Sequence, residues 1–414
     1  MFRIYYLPDK KKSIFNQNDA IMNNMKNRIC LTIFFLLILI GCSLKTRDGT
    51  DTRASGNTRL LISFTGDIMA HDVNFRLKDF GKMYENISHF LLQDDLSFGN
   101  LEFPVDDTQP YSTFPAFNVN TPYVEALIDA GFDVFSLSNN HTIDKGSGGI
   151  ARTNSAMNAI RDKYLKNIPP RNIIYNGIKE NYFDGFKISV FYKNGMKIAF
   201  LSVTELLNNY SNARLKVQYY DYTETMREEF AEKIKAVKEE IQPDLLVTAI
   251  HISEPEYVRE VKESRKEYFR KLADCGADII WAHHPHVAQE WEIYQLRDRT
   301  GQALIMYSMG NFISGQRYKA KLSDPGAPRE YTGDSLILQA EIEKTPEYSG
   351  IHINVNPILI TTKVDYSSGE ITLHHFTEEF IESQDDLWKP YYKDRFNLMK
   401  DQFGELFPWE KIQN

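Results

Sequence analysis

The chain has 414 residues, with 48 Lys and Arg against 56 Asp and Glu, which gives a formal net charge of −8 at pH 7. This excess of acidic residues argues against a nucleic-acid partner, because duplex binding depends on Lys and Arg side chains that neutralise phosphates. With 42% hydrophobic and 25% charged residues, the composition is that of an ordinary globular protein that can bury a core.

Residues 1–41 are predicted to be a signal peptide with an N-terminal extension of doubtful status. The apolar run 29–40 follows basic residues and is shorter than the about 20 residues of a membrane span. An uncut anchor helix is the alternative interpretation of this run. The residues before Met25 lack signal-peptide character, so we expect translation to start at Met22 or Met25.

Residues 42–58 are predicted to be a lipidated cysteine followed by a flexible tether. The sequence Leu-Ile-Gly-Cys at residues 39–42 resembles the bacterial lipobox, in which the chain is cut before the cysteine and the thiol takes a diacylglyceryl group. By this resemblance Cys42 carries several acyl chains, which suffice for stable anchoring because one chain binds a membrane only marginally. Residues 43–57 hold almost no apolar side chain and cannot bury enough surface to fold.

Cysteine usage predicts a mature chain without a disulfide. Cys30 would leave with the signal peptide and Cys42 would be acylated, which leaves Cys275 alone. Cys275 ends a helical pattern, so we expect a structural thiol and not a nucleophile.

Residues 59–414 are predicted to form one domain, because no Pro-, Gly- or Ser-rich break and no internal repeat follows the tether. Six short apolar runs in this domain end in side chains suited to bind metal ions or polar ligands. In chain order these side chains are Asp67; Asn100 and Glu102; Asn140 and His141; His251; His283, His284 and His286; and Asn311. Helical patterns at residues 124–130 and 224–241 alternate with the runs, which predicts a parallel or mixed sheet with its functional residues at the carboxyl ends of the strands.

Three of the ten histidines fall within residues 283–286, directly after an apolar run. Pro285 narrows the backbone conformations of this segment, so the rings of His284 and His286 can be held towards one point. We interpret the histidines of this segment as candidate metal ligands, with the rings of His284 and His286 best placed to act together. A histidine-rich surface turn is the alternative interpretation.

A hairpin and three further strands are predicted to be structural. Asn194-Gly195 is a two-residue turn signal between strand patterns. Residues 336–342, 351–360 and 371–376 are also predicted strands, so we expect a second sheet to close the fold. The ordinary strand residues in this region include His352, His374 and His375. Aromatic residues near the C-terminus predict a terminal helix packed on the domain and not a ligand site.

The motifs, taken as an ordered set, resemble those of the bacterial capsule-synthesis protein CapA family. They are Gly-Asp-Ile-Met at 66–69, Gly-Asn-Leu-Glu at 99–102, Ser-Asn-Asn-His-Thr at 138–142, His-Pro-His-Val at 284–287 and Tyr-Ser-Met-Gly-Asn-Phe at 307–312. The family is named for poly-gamma-glutamate capsule assembly and belongs to the calcineurin-like metallophosphoesterase superfamily. The resemblance implies an α/β fold in which two β-sheets are sandwiched between helices, with a metal site at the strand ends.

The resemblance also implies the metal ligands. Asp67 would bind the first metal, Asn140 and His251 the second, and His284 and His286 would each contribute one ring. Glu102 is the expected bridging ligand, because a ligand between two cations should be anionic and Asn100 is neutral. These donors suit one or two divalent ions of Mn, Fe or Zn, which could activate water for attack at phosphorus.

His141 and Asp144 are the candidate catalytic residues. By the resemblance His141 would be the general acid or would stabilise an oxyanion. Asp144 would either orient His141 or cap the following turn.

Two departures from the superfamily pattern affect this assignment. Met69 stands where the pattern has a histidine, and His71 lies two residues further on, so the first metal site is short of a ligand. After His251 the family shows Trp-Gly and then Glu-Tyr, whereas this chain has Glu254 and Glu256 before Tyr257.

Substrate contacts are expected from Asn100, Asn311 and His283, and from Arg317 and Lys319 in the long loop after Phe312. Cations in this loop could steer an anionic substrate, or they could belong to a solvated loop of no special function.

Three functional hypotheses follow. The first is an exported, cell-envelope lipoprotein that acts in synthesis, export or retention of an anionic capsule polymer of the poly-gamma-glutamate type, with metal-dependent phosphoester hydrolysis as its chemistry. Its partners would be the polymer or phosphoester, the membrane through the lipid anchor, and capsule-assembly proteins. The second is a polymer-binding scaffold without turnover, and the third is a stand-alone phosphodiesterase or nucleotidase.

The anchor can be tested by replacing Cys42 with serine. We expect Cys42→Ser to move the protein from the membrane fraction to the soluble fraction, because no other acylated residue anchors it. Cys275→Ser is the control and should stay in the membrane fraction on immunoblots. If Cys42→Ser sediments as tightly with membranes as the wild type, the lipobox prediction is wrong.

Overall fold

We describe the fold from a computed structural model, which describes residues 3–6, 58–297, 299–344 and 350–407. The predicted cleavage site, Cys42 and residues 43–57 lie outside the described residues. Among the helices of the described ranges, none has the length and apolar character needed to cross a bilayer.

The described strands form two sheets. The strands are β1 Arg3–Tyr6, β2 Thr58–Ile68, β3 Leu96–Leu101, β4 Val134–Ser136, β5 Ile174–Asn176, β6 Lys187–Lys193, β7 Met196–Thr204, β8 Leu245–His251, β9 Ile279–His283, β10 Trp291–Gln295, β11 Gln302–Met306, β12 Asn311–Ile313, β13 Asp334–Lys344, β14 Ile351–Asp365 and β15 Glu370–His375. Sheet I has the order β15-β14-β13-β2-β3-β4-β5, with β12 beside β2. Sheet II has the order β1-β6-β7-β8-β9-β11-β10.

Both sheets have a parallel centre. In sheet I, β2 to β5 run parallel, and in sheet II β7, β8, β9 and β11 do. The described helices are α1 Asp72–Phe75, α2 Ser88–Leu92, α3 Thr121–Asp129, α4 Gly146–Tyr164, α5 Glu224–Ile241, α6 Glu263–Cys275, α7 Glu378–Glu382 and α8 Trp388–Phe403. Short 3-10 turns lie at Phe80–Met83, Asn212–Lys216, Pro328–Gly333 and Gly404–Leu406. The predicted helix at residues 224–241 is confirmed.

Strand alternation divides the core into three layers. Along β7, Ile198 and Phe200 face the other sheet, whereas Ala199 and Leu201 face α5 and α6. A further layer of apolar side chains fills the space between sheet I and the helices α3 and α4. The expected α/β architecture, two sheets sandwiched between helices, is therefore confirmed.

The hairpin prediction is confirmed, and the second-sheet prediction needs a correction. β6 and β7 pair antiparallel, with Asn194 at φ 46° and Gly195 at φ 81°, as a tight two-residue turn requires. The three later strands, β13 to β15, are confirmed as strands but do not form a separate second sheet. They extend sheet I, because β13 pairs antiparallel with β2, for example Ala340 with Ile62.

The two sheets are tied together beneath the strand ends that carry the polar residues. The Trp281 indole on β9 donates a 2.8 Å hydrogen bond to the Thr65 carbonyl on β2. The backbones at Gly66 and Gly310 approach so closely that a Cβ at Gly66 would lie 1.9 Å from the Gly310 oxygen. Glycine at position 66 therefore allows the 2.8 Å bond from the Asp67 amide to that oxygen.

The C-terminal helix α8 is held by a buried charge cluster as well as by its aromatic face. Tyr391, Tyr392, Phe396 and Phe403 join the core between the sheets, which confirms the predicted packing. Asp334 is fully buried between two arginines, 2.6 Å from Arg317 Nη1 and 2.7 Å from Arg395 Nε. Burial raises the pKa of Asp334, but the two guanidinium charges outweigh it and hold this pKa below its usual value.

We expect Asp334→Asn to lower the free energy of unfolding by about 3–5 kcal/mol, because it leaves two buried cations without their counter-charge. The pKa of Asp334 is lower in the folded protein than in the unfolded chain, where it is about 4. Its contribution to the free energy of unfolding is therefore fully present above about pH 4, and it is lost as the pH falls towards the folded-state pKa. Urea denaturation at pH 7 measures the change.

The control is Asp324→Asn, which breaks the exposed ion pair with Lys321, whose side chains are 48% and 58% exposed. This change should cost at most about 1 kcal/mol. Equal losses in the two variants would contradict the role of the buried cluster.

Candidate metal centre

The predicted ligand residues come together where the carboxyl ends of strands from the two sheets meet. Asp67 on β2 pairs in register with Asn100 on β3, and His251 on β8 pairs with His283 on β9. Glu102 follows β3 directly. Five side chains predicted from four strand ends therefore lie at one place.

Three groups of these side chains could each hold a metal ion, since the ligand atoms within each group lie within 4.8 Å of one another. Group one is Asp67, His251 and His283; group two is Glu102, His251 and His284; group three is Asp67, Glu102 and His286. Asp67, Glu102 and His251 each belong to two groups, and of these Glu102 is the carboxylate with two unpaired oxygens, as expected of a bridging ligand.

The Glu102 carboxylate is fully buried, and among the described residues neither of its oxygens has a hydrogen-bond partner. Burial, followed by the charges of Asp67 and Glu256, raises the pKa of Glu102 well above its usual value. Burying a carboxylate without a partner costs several kcal/mol, and a bound cation removes this cost. The donor set therefore fits a metal ion.

Three imidazoles of these groups are held neutral. Burial lowers the pKa of His284 to about 3 and that of His283 to about 4, and it lowers the pKa of His251 well below its usual value. Nδ1 of His251 and Nδ1 of His284 are buried without a partner among the described residues. Neutral imidazoles with unpaired nitrogens are the form that binds a metal.

Asn140 completes the second group. Its Oδ1 lies 2.8 Å from His251 Nε2, and this same ring nitrogen is 3.9 Å from a Glu102 oxygen. An amide oxygen, an imidazole and a carboxylate thus converge on one point, as the predicted second metal requires.

Asp67 is oriented by hydrogen bonds on both of its oxygens. Asn100 donates to Oδ1 at 2.8 Å, and the His284 backbone amide donates to Oδ2 at 3.2 Å. Burial raises the pKa of Asp67, but the hydrogen bond and charge of His286 outweigh this and hold it well below its usual value. Asp67 is therefore ionised and positioned to bind a cation.

Contacts to the Nδ1 atom hold the His286 ring in place. Its Nδ1 lies 3.0 Å from Asn311 Oδ1 and 3.2 Å from Asp67 Oδ2, while Nε2 is 3.7 Å from a Glu102 oxygen. The Asn311 amide is itself held, because it donates to Gln316 Oε1 at 2.7 Å. A ring whose Nδ1–H donates to Asn311 presents Nε2 to the centre.

The backbone at the histidine cluster is strained. His284 has φ 104° and His286 has φ 58°, values that residues with a side chain rarely adopt. Such strain costs about 1–3 kcal/mol per residue and persists only where the surrounding structure imposes it. Here it turns both rings towards Glu102.

His141 lies beside the metal groups and is held by Asp144. Its Nδ1 is 2.7 Å from Asp144 Oδ2, and that oxygen also accepts the Phe117 backbone amide at 2.8 Å. The N-cap residue of the following helix α4 is Lys145, and it makes no side-chain cap hydrogen bond. Of the two roles that the sequence left open for Asp144, the geometry therefore favours orientation of His141.

A family model described as bacterial capsule synthesis protein PGA_cap matches residues 61–316. The chain belongs to this family. The matched segment runs from β2 to the loop after β12 and contains every residue of the metal groups.

Two relatives from this family illustrate the similarity. The chain is 28% identical over 273 residues to "Capsule biosynthesis protein CapA" of Bacillus anthracis, in a match that covers 63% of this chain and 61% of the relative, less than two thirds of its length. It is 25% identical over 323 residues to "PGA biosynthesis protein CapA" of Bacillus subtilis (strain 168), with 76% of each chain covered. A crystal structure of a hypothetical protein from Thermus thermophilus matches 72% of this chain and 99% of its own with a TM-score of 0.40 and 15% identity.

Three predicted substrate contacts need correction. Arg317 is buried and uses its guanidinium within the protein, on Asp334 and on backbone carbonyls of the same loop. Asn100 donates to Asp67, and Asn311 contacts His286, so both amides position ligands instead of facing a substrate. Lys319 is exposed on the loop and can contact an anion.

Neither Met69, which stands where the superfamily pattern has a histidine, nor His71 belongs to the three metal groups. Met69 packs in the core between sheet I and its helices. His71 Nδ1 accepts the Gly315 backbone amide at 3.1 Å, and its ring stands edge-on to Phe117.

Two polar residues near the site were not predicted. Asn208 follows β7 and lies 3.2 Å from His141 Nδ1, and its Oδ1 accepts from Asn140. Glu205 also follows β7, but Arg265 binds both of its oxygens, at 2.7 and 2.8 Å. The sequence signal is present, because β7 ends in polar residues like the other strands, although the hairpin pattern favours a structural interpretation of this strand.

We expect Mn²⁺ or Zn²⁺ at 100 times its Kd to raise the free energy of unfolding of the wild type by about 2.7 kcal/mol. Glu102→Gln should lose most of this stabilisation, because Glu102 is shared by two groups. Without metal, the variant should be at least as stable as the wild type, since it removes a buried carboxylate that has no partner. Urea denaturation with metal or chelator measures both effects.

The matched control is Glu205→Gln, another buried glutamate at a strand end. Because Glu205 is paired with Arg265, its variant should lose stability without metal but keep the metal response. An unchanged metal response in Glu102→Gln would show that Glu102 is not a ligand.

Proposed function

We propose that the protein is a metal-dependent phosphoester hydrolase of the cell envelope that acts in the synthesis, export or retention of an anionic capsule polymer. Membership of the capsule synthesis family and the names of the two Bacillus relatives support the link to capsule formation. The lipobox-like sequence ending at Cys42 supports the location at the membrane surface.

The observation that carries the hydrolase proposal is the position of Glu102. Among the described residues, a fully buried carboxylate without hydrogen-bond partners lies between His251, His284 and His286. Asp67, Glu102 and His286 would hold one ion, and Glu102, Asn140, His251 and His284 a second. Bound Mn, Fe or Zn would supply Lewis-acid polarisation of a phosphoryl oxygen.

His141 supplies the proton chemistry. With Nδ1–H donating to Asp144, the atom that would hold or deliver a proton is Nε2, which lies 3.3 Å from Asn208 Nδ2. The ring stands edge-on to Phe117 at 4.7 Å between ring centroids and is 4% exposed, so water has little access to it. In this position His141 would protonate the leaving oxygen of a phosphoester.

The experiment is hydrolysis of aryl phosphate mono- and diesters by the purified full chain, with parallel metal analysis. The wild type should bind metal and hydrolyse at least one ester class, and a chelator should abolish turnover. His284→Ala should lose both metal and activity. His141→Ala should keep the metal but lose about 10²–10⁴-fold in kcat, because only proton transfer is removed.

His375→Ala is the control, since this histidine lies on β15 at the edge of sheet I and should change neither property. Bound metal without hydrolysis of any ester would favour a binding scaffold and would contradict the hydrolase. A His141→Ala strain whose surface keeps the wild-type amount of anionic polymer would separate the activity from capsule formation.

A further inference from the structure

We propose that His283 is a direct ligand of the metal centre, an imidazole that supplies the donor which Met69 does not provide. The inference rests on the proposed metal centre and adds a residue to its ligands. Neither the ligand set implied by the family resemblance nor the predicted substrate role of His283 includes this function.

The strand register places His283 in a ligand position. His251 and His283 are paired neighbours on the parallel strands β8 and β9. Two residues before each of them, Ala249 and Trp281 face the core between the sheets. Because side chains alternate along a strand, His251 and His283 also point to that side, towards Asp67 of the opposite sheet.

The surroundings of His283 give its ring no other partner. The side chain is 1% exposed, and among the described residues neither ring nitrogen makes a hydrogen bond. The Trp281 ring stands edge-on against it at 4.1 Å between centroids and fixes its plane. A ring nitrogen lies within 4.8 Å of ligand atoms of both Asp67 and His251.

A buried imidazole with both nitrogens unpaired costs stability, so its presence needs a compensating partner. Coordination of the ion that Asp67 would hold provides one, whereas a structural role would be served equally well by an apolar ring of the same shape.

The other candidates for the missing donor are engaged elsewhere. The Met69 side chain is 2% exposed and packs in the core on the outer face of sheet I. His71 uses Nδ1 to accept the Gly315 amide and belongs to none of the three groups. His283 is therefore the histidine that adds a nitrogen donor beside Asp67.

Four imidazoles now surround the two carboxylates. This nitrogen-rich set favours Zn, Fe or Co over Mg or Ca, which prefer oxygen donors. The proposal thus narrows the metal class as well as the ligand set.

The test compares His283→Phe with His71→Phe in the full chain purified in detergent. Phenylalanine keeps the flat ring against Trp281 and removes both nitrogens. We expect His283→Phe to weaken Zn²⁺ binding, measured by calorimetry, by about 10-fold or more, and His71→Phe to leave it unchanged. X-ray absorption of the Zn²⁺-loaded protein should show fewer imidazole ligands in His283→Phe only.

The melting temperature of the metal-free proteins separates a ligand from a packing residue. His283→Phe should melt at or above the wild-type temperature, because it removes two unpaired buried nitrogens. A lower melting temperature, or failure of the metal-free variant to fold, would assign His283 to packing and overturn the inference.

Wild-type Zn²⁺ affinity and an unchanged imidazole count in His283→Phe would overturn this inference alone and leave the proposed centre intact. Failure of the wild-type chain to bind any divalent metal would overturn the proposed function together with this inference.

Discussion

The burial of the Glu102 carboxylate is the constraint on which the rest of the site depends. An ionised group at this depth is tolerated only next to compensating charge, and the described protein atoms provide no hydrogen bond to it. Its neighbours are arranged for a cation. Asp67 is kept ionised by His286, and three imidazoles are kept neutral by burial. The fold contributes by bringing strand ends of two sheets to one point, so that ligands far apart in sequence become neighbours.

Support for these ligands extends well beyond the centre. Asn100 orients Asp67, and Asn311 orients His286 and is itself held by Gln316 in the long loop after β12. That loop is fixed to sheet I and to α8 by Arg317 and by the buried Asp334. The C-terminal helix therefore stabilises the segment that positions His286, although it contributes no residue to the three metal groups. This role explains why Arg317, a cation in the loop after β12, binds Asp334 inside the protein and not a substrate.

Strain and close packing at the site are consistent with this arrangement. The backbone conformations of His284 and His286 would be unfavourable in an isolated loop, and the surrounding contacts impose them. Gly66 is needed because any side chain there would collide with the Gly310 carbonyl, whose hydrogen bond sets the position of Asp67. Stability is given up locally to hold these side chains in place, which would lower the reorganisation needed to bind an ion.

The sequence by itself determined the elements and most of the donors, because periodicity reports local structure and because short apolar runs ending in Asp, Asn or His mark the carboxyl ends of strands. It predicted the hairpin at Asn194-Gly195 and the strand ends at Asp67, His251 and His283.

Only the tertiary structure decided which sheet β13 joins, because an antiparallel strand can add to the edge of either sheet. It also decided that Arg317 is buried, that Asn208 reaches His141, and that His283 lies beside Asp67. These contacts join residues between 17 and 217 positions apart, as in Arg317 with Asp334 and Asp67 with the His284 amide, and local patterns carry no information about such distances.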